Sequence, residues 1–158
     1  MNFIINREEL LIPLQQIVSV IEKRQTMPIL SNVLMVIEDG QLLLTGTDLE
    51  IQIVAKINLA NATAGAITVP ARKFLDICRL LPNGAEIKFD QLDDKVKILS
   101  GRSRFSLSCL PAEHYPEFAE SELEQQFFIS AGKFKKALDK TVFCMANQDV
   151  RYYLNGLL

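Results

Sequence analysis

The 158-residue chain has little of what catalysis or metal binding usually needs. Its single histidine, His114, stands between prolines in a polar stretch, and nothing in the sequence brings a cysteine near it to make a nucleophile–base pair. Cys78, Cys109 and Cys144 are an odd number, widely spaced and set among apolar residues. They match no metal or disulfide spacing and read as reduced, buried thiols of a cytoplasmic protein. No GxxxxGK[ST], GxGxxG or HExxH is present, so no nucleotide, dinucleotide or zinc site is expected. No apolar run approaches a membrane span, and MNFIINREEL lacks a basic stretch leading into an apolar one, so neither a membrane partner nor a secretory leader is expected. The net charge of −2 carries no global basic signature. Asp48 and Glu50 in GTDLE could hold Mg²⁺ or act as an acid–base pair. A turn entering a strand accounts for them more simply, and no catalytic residue, metal or cofactor is assigned.

What the sequence does have is a repeat. FIINREELLIPLQQIVSVI, AITVPARKFLDICRLL and QFFISAGKFKKALDKTVF each open on a short apolar strand. Each then reaches a helix-start residue, Asn6, Pro70 or Ser130. Leu10, Phe74 and Phe134 follow four residues on, and apolar residues then recur at helical spacing. Pro13 falls inside the first of these helices and is expected to bend it. Between the repeats lie strands: a hairpin at Asp39-Gly40, LEIQIVAKI, a second hairpin at Asp93-Asp94, and RFSLSCL with alternating burial. The unit is strand, helix, antiparallel strands, and the class is α+β. Two units make a first domain, expected over residues 1–125, with LPAEHYPEFAESELEQ as connector. A third unit begins a second domain over 126–158 and is expected to resume as a strand in VRYYLNGLL, so the chain reads as a fragment.

Charge is divided unevenly. Residues 7–24, 71–79 and 131–140 hold ten Lys or Arg against five Asp or Glu, leaving an acidic remainder. Helices sharing one side of the sheets would make that side positive and the outside negative, a surface suited to phosphates. On charge alone, ordinary solvated helix faces explain the counts as well.

Five runs decide between these readings. MPILSNVLM, LTGTDLE, VPARKFLDICRLLP, SGRSRFSLSCLPAEHYP and ANQDVRYYLNG, in order and spread over the whole chain, closely resemble the bacterial DNA polymerase III beta-subunit family, the sliding clamps. The resemblance implies a DNA-clamp fold, with helices on the inner, DNA-facing side and sheets outside. It implies a head-to-tail homodimeric ring that encircles double-stranded DNA without sequence preference. It also implies a non-enzymatic, cytoplasmic processivity factor whose partners are the polymerase III core, the clamp loader and other replication and repair proteins. Residue by residue, Arg24, Arg72, Gln148, Tyr152 and Tyr153 resemble DNA-contacting positions. Lys73, Phe105 and Leu107 resemble the dimer edge. Arg151, Tyr153 and Leu154 resemble one rim of the cleft that captures partner motifs.

Overall fold

The computed structural model describes residues 1–21, 27–116, 126–147 and 149–158. It divides into two compact units, Met1–Ala119 and Glu120–Leu158.

In the first unit, β1 (Asn2–Asn6) runs directly into α1 (Arg7–Val20). The amide of Arg7 donates to the Ala85 carbonyl at 2.9 Å, so the helix start is tied to the chain that follows the second helix. Asn6 occupies the N-cap, but its side chain makes no capping bond and reaches Glu9 instead. The helix is continuous through Pro13. A 3₁₀ turn, Pro28–Ser31, leads into β2 (Asn32–Glu38) and β3 (Gln41–Thr47). Their two-residue turn places Asp39 at φ 48° and Gly40 at φ 72°, the left-handed pair that matches the twist of a tight hairpin. β4 (Gln52–Asn58) completes the first set. Two-residue β5 (Ala62–Thr63) and then β6 (Gly65–Pro70) lead to α2 (Ala71–Leu80). β7 (Glu86–Leu92), β8 (Lys95–Ser100) and β9 (Ser103–Ser108) close the unit.

The strands do not stay with their own repeat. One sheet has the order β5-β1-β7-β8-β9 and the other β4-β3-β2-β6. The leading strand of each repeat therefore pairs with the strands of the other: Phe3 lies opposite Phe89, and Val33 opposite Val69. This exchange joins two sequence repeats into a single folding unit, because neither sheet is complete without a strand from the other half.

Both sheets turn their alternate apolar residues onto one core shared with the helices. α1 contributes Leu10, Leu14, Ile17 and Val18; α2 contributes Phe74, Leu75, Ile77 and Cys78. The helix α1 lies so close to β3 that a Cβ on Gly46 would come within 2.5 Å of Ile17 Cγ2. Glycine there is a packing requirement, not a conformational one. A strap then leaves β9 and crosses to the other sheet. Thr68 and Leu110 form an isolated bridge, and the Thr68 hydroxyl donates to the Leu110 carbonyl at 2.9 Å. Asn32 Nδ2 donates to that same hydroxyl at 2.8 Å, which satisfies a buried amide. Tyr115 ends the strap, packed with Ile29 and Leu30 and donating to the carbonyls of Asn32 and Thr45.

The second unit holds α3 (Ala131–Thr141), a 3₁₀ turn at Val142–Cys144 and another at Tyr152–Asn155. Two strand expectations are corrected here. Residues 126–130 form no strand, and Tyr152–Asn155 is helical turn where a strand was expected. A strand is held by a neighbouring strand's N–H and C=O groups, and none lies in this unit among the described residues. Phe134, Leu138 and Val142 keep their helical spacing but remain exposed.

The cysteines also divide. Cys78 and Cys109 are buried, and burial pushes their thiols up to about 12 and about 11, because desolvation disfavours the thiolate. Cys144 is exposed, which corrects its expected burial: within its own unit no described element covers α3 or the turn after it. A colorimetric thiol assay of the native chain at pH 8 is expected to titrate Cys144 rapidly and alone. Denaturation should release all three thiols; rapid reaction of two or three in the native chain would contradict the buried assignment.

Candidate nucleic-acid interface

α2 is amphipathic by its spacing. Ala71, Phe74, Leu75, Ile77 and Cys78 face the core, which leaves Arg72, Lys73, Asp76 and Arg79 at the surface. Arg79 falls in the last turn, where the helix dipole favours a cation. Arg72 is only partly free. Its Nη2 donates to the Ile21 carbonyl at 2.6 Å, at the C-cap of α1. That carbonyl has no partner within its own helix, so the guanidinium both satisfies it and braces the two helices. Among the described residues its other N–H groups make no further hydrogen bond. Lys73 is exposed on the first turn. Arg24 and Gln148, two of the other expected DNA contacts, lie outside the described residues. So do Glu22 and Lys23 of the helical stretch read from the sequence.

α3 is basic as expected. Lys135 pairs with Asp139 one turn on at 2.6 Å, and Lys133, Lys136 and Lys140 are exposed. The outer face of the sheet containing β7 to β9 departs from expectation. Because Ile87, Phe89, Val96 and Ile98 point inward, Lys88, Lys95, Lys97 and Arg104 point outward, against Glu86 and Asp90. The acidic surplus therefore does not reside on this face.

β9 is the end strand of its sheet. Leu107 is 9% exposed and belongs to the core, and Phe105 is half-buried against it. Both fall opposite core residues of β8, Val96 and Ile98. Only tertiary packing could show how far these two side chains are covered. The open side of β9 instead offers backbone groups flanked by Arg104, Ser106 and Ser108, all exposed.

In the second unit, Asp149 organises the loop. Its Oδ1 accepts from the Arg151 amide at 2.8 Å and from Nε at 3.0 Å, while Oδ2 accepts from Nη2 at 3.0 Å. This fork holds the Asp149 carboxyl below its ordinary range and the Arg151 guanidinium above its own. Asn155 bonds both the amide and the carbonyl of Asp149, each at 3.0 Å. The loop thus presents Tyr152 and Tyr153 outward, rings edge-on with centroids 6.2 Å apart, while Leu154 is half-buried. Arg151, Tyr153 and Leu154 are contiguous here, but on a turn, not a strand.

The other candidates resolve simply. Asp48 Oδ1 accepts from the amides of Glu50 and Ile51 at 2.9 and 2.7 Å, an Asx turn. His114 is exposed on a short 3₁₀ turn. Among the described residues no cluster of His, Cys, Asp or Glu could hold a metal, and no helix is long and apolar enough to cross a membrane.

Two exchanged strand–helix–strands repeats, with α2 carrying basic surface residues, define a class that solved structures share. The DNA polymerase III subunit beta of Pseudomonas aeruginosa superposes with a TM-score of 0.95 at 50% identity, covering 99% of this chain and 43% of that one. The polymerase III beta of Caulobacter crescentus gives 0.93 at 37% identity, over 99% of this chain and 42% of that one. Residues 1–119 match the model of the DNA polymerase III beta subunit, N-terminal domain, and the chain belongs to that family. The beta sliding clamps of P. aeruginosa and Escherichia coli K12 are 51% and 50% identical to it over 159 aligned residues. The chain spans 43% of the length of each of these relatives.

Proposed function

We propose that residues 1–125 are the first domain of a DNA sliding clamp and 126–158 the start of its second. Continuous similarity to beta sliding clamps over the whole chain carries this reading. The working molecule is a ring of two such subunits, head to tail, that encircles duplex DNA and tethers the replicative polymerase. It is a cytoplasmic processivity factor rather than an enzyme. The clamp loader, the polymerase III core and repair proteins dock on it. Retention is topological, so contacts to phosphate can be weak and sequence-independent. Arg24, Arg72, Gln148, Tyr152 and Tyr153 make those contacts. Lys73, Phe105 and Leu107 serve the subunit boundary at the β9 edge, which is open to pairing. Arg151, Tyr153 and Leu154 form one rim of the partner cleft.

The test uses a chain of the relatives' full length loaded on circular duplex DNA by its loader. It is expected to stay bound through a high-salt wash and to be lost when the circle is linearised. Equal loss from circular and linear DNA would overturn the ring.

A further inference from the structure

Two Asn-Gly pairs occur in the chain, Asn83–Gly84 and Asn155–Gly156. In such a pair the glycine amide can attack the asparagine side chain with no Cβ to crowd its approach. The fold treats the two pairs differently. Pro82–Ala85 is a β-turn closed by the Ala85 amide donating to the Pro82 carbonyl at 3.2 Å. Gly84 has φ 72° and Asn83 a negative φ, the pattern of a type II turn. The central peptide of that turn directs its N–H away from the Asn83 side chain. The first turn of α1 then fastens both reacting groups. The Gly84 amide donates to Glu8 Oε1 at 3.0 Å, and Arg7 Nη1 donates to Asn83 Oδ1 at 3.0 Å. The same Nη1 reaches Glu8 Oε1 at 3.1 Å, while Arg7 Nε is anchored on the Cys78 carbonyl at 2.8 Å. Asn155 is held through its side chain alone, by the amide and carbonyl of Asp149. Among the described residues the Gly156 amide has no partner.

We propose that Asn83–Gly84 is a latent deamidation site that Arg7 and Glu8 hold closed in the folded chain. The inference does not depend on the sliding-clamp reading. In the reaction the Gly84 nitrogen bonds to Asn83 Cγ and its proton passes to water. The Cγ–Nδ2 bond breaks, and the nitrogen takes a proton from water and leaves as ammonia. A second water opens the five-membered imide at either carbonyl, giving aspartate or isoaspartate; no oxidant or cofactor enters. Ring closure requires the Asn83–Gly84 peptide to swing round, and that breaks the bond to Glu8. The Gly84 amide also holds the Glu8 carboxyl below its ordinary range, so Glu8 is a carboxylate at neutral pH and a poor acceptor for an amide proton. The product carboxylate would face Glu8. Isoaspartate would also add a backbone carbon to the turn whose Ala85 carbonyl anchors the start of α1.

The experiment warms the 158-residue chain at about pH 8 and follows both asparagines by peptide mapping and mass spectrometry, with ammonia release as a second readout. In the native chain Asn155 should convert first, and Asn83 at least about fivefold more slowly, as one bond to a charged acceptor allows. In urea the two rates should agree within about twofold, since no fold then separates them. Glu8→Ala should bring the Asn83 rate toward its urea value and leave the Asn155 rate unchanged. Glu8→Gln, which keeps an acceptor without the charge, should fall between. An unreactive Cys78 thiol in each variant shows that the unit is still folded, because that thiol is buried beneath the Arg7 anchor. If a variant exposes Cys78, the comparison of Asn83 with Asn155 in the parent decides by itself. Equal rates for the two asparagines in the native parent would overturn the proposal. So would a folded Glu8→Ala chain in which Asn83 is unchanged, or slower, the second result making Glu8 a base that promotes the reaction.

Discussion

Phe89→Ala is expected to destabilise the first unit by about 3–5 kcal/mol, a large part of the stability such a unit has. Phe89 is fully buried on β7. Its ring stacks on Phe3 with centroids 4.8 Å apart and packs tilted against Phe74 at 6.0 Å. Those three residues come from β7, β1 and α2, so the ring sits where the exchanged strand of the first repeat meets the sheet of the second. Truncation leaves a cavity that two rigid rings cannot fill by a small shift. Urea denaturation followed by circular dichroism should show the midpoint fall by about 1–3 M at an unchanged slope. Phe128→Ala, at a fully exposed position of the second unit, should change stability by about 0.5 kcal/mol or less. A loss below about 1 kcal/mol for Phe89→Ala would show that the aromatic trio is not the joint between the halves.

Ser106→Pro is expected to weaken association through the β9 edge about a hundredfold while leaving the unit folded. The reason lies in the register. Ser100 pairs with Ser103 across a two-residue turn, so the pairs Ile98–Phe105 and Val96–Leu107 exchange the ladder bonds. The Cys109 amide donating to the Asp94 carbonyl at 2.8 Å continues the same alternation. The amides of Arg104, Ser106 and Ser108 therefore point to the open side. Proline at 106 removes no bond within the sheet, and edge strands tolerate it. It does remove the central donor that a docking strand would use and adds a ring in its path. On a chain of the relatives' full length, sedimentation velocity should show dimer dissociation at about a hundredfold lower dilution factor than the parent, equivalent to about 2.7 kcal/mol. The 158-residue variant should unfold within about 1 kcal/mol of its parent. An intact dimer would exclude pairing at this edge.

The two hairpins were legible because their turns carry Asp-Gly and Asp-Asp between alternating strands, a local chemical signal. Asp39, Gly40 and Asp93 indeed adopt positive φ. The helix faces were legible for the same reason, since Phe74, Ile77 and Cys78 share one side of α2 by spacing alone. The strand expected at VRYYLNGLL failed on the same logic. Its β-formers describe a residue's fit to a pleated surface, and with no strand beside them Tyr152–Asn155 settle into a turn closed by Asp149 and Asn155. The link from Arg72 to the Ile21 carbonyl spans 51 residues and leaves no mark on either local sequence. That Gln15 and Ser19 of α1 come to stand beside Arg72 and Arg79 could not be foreseen either, because they look like any exposed helix residues until α2 is placed against them.

By itself the sequence determined the repeat, the class of the two helices and of the longer strands in the first unit, the tight turns and the family. All of these are written in local chemistry or in long runs of matching residues. Tertiary structure alone decided which strands pair. The period-two pattern of β1 records that one face is buried but not against which neighbour, so Phe3 could equally have served its own repeat. Pairing Phe3 with Phe89 and Val33 with Val69 crosses the repeats, and that choice sets the two helices side by side, so that Arg72 of α2 meets the C-cap carbonyl of α1.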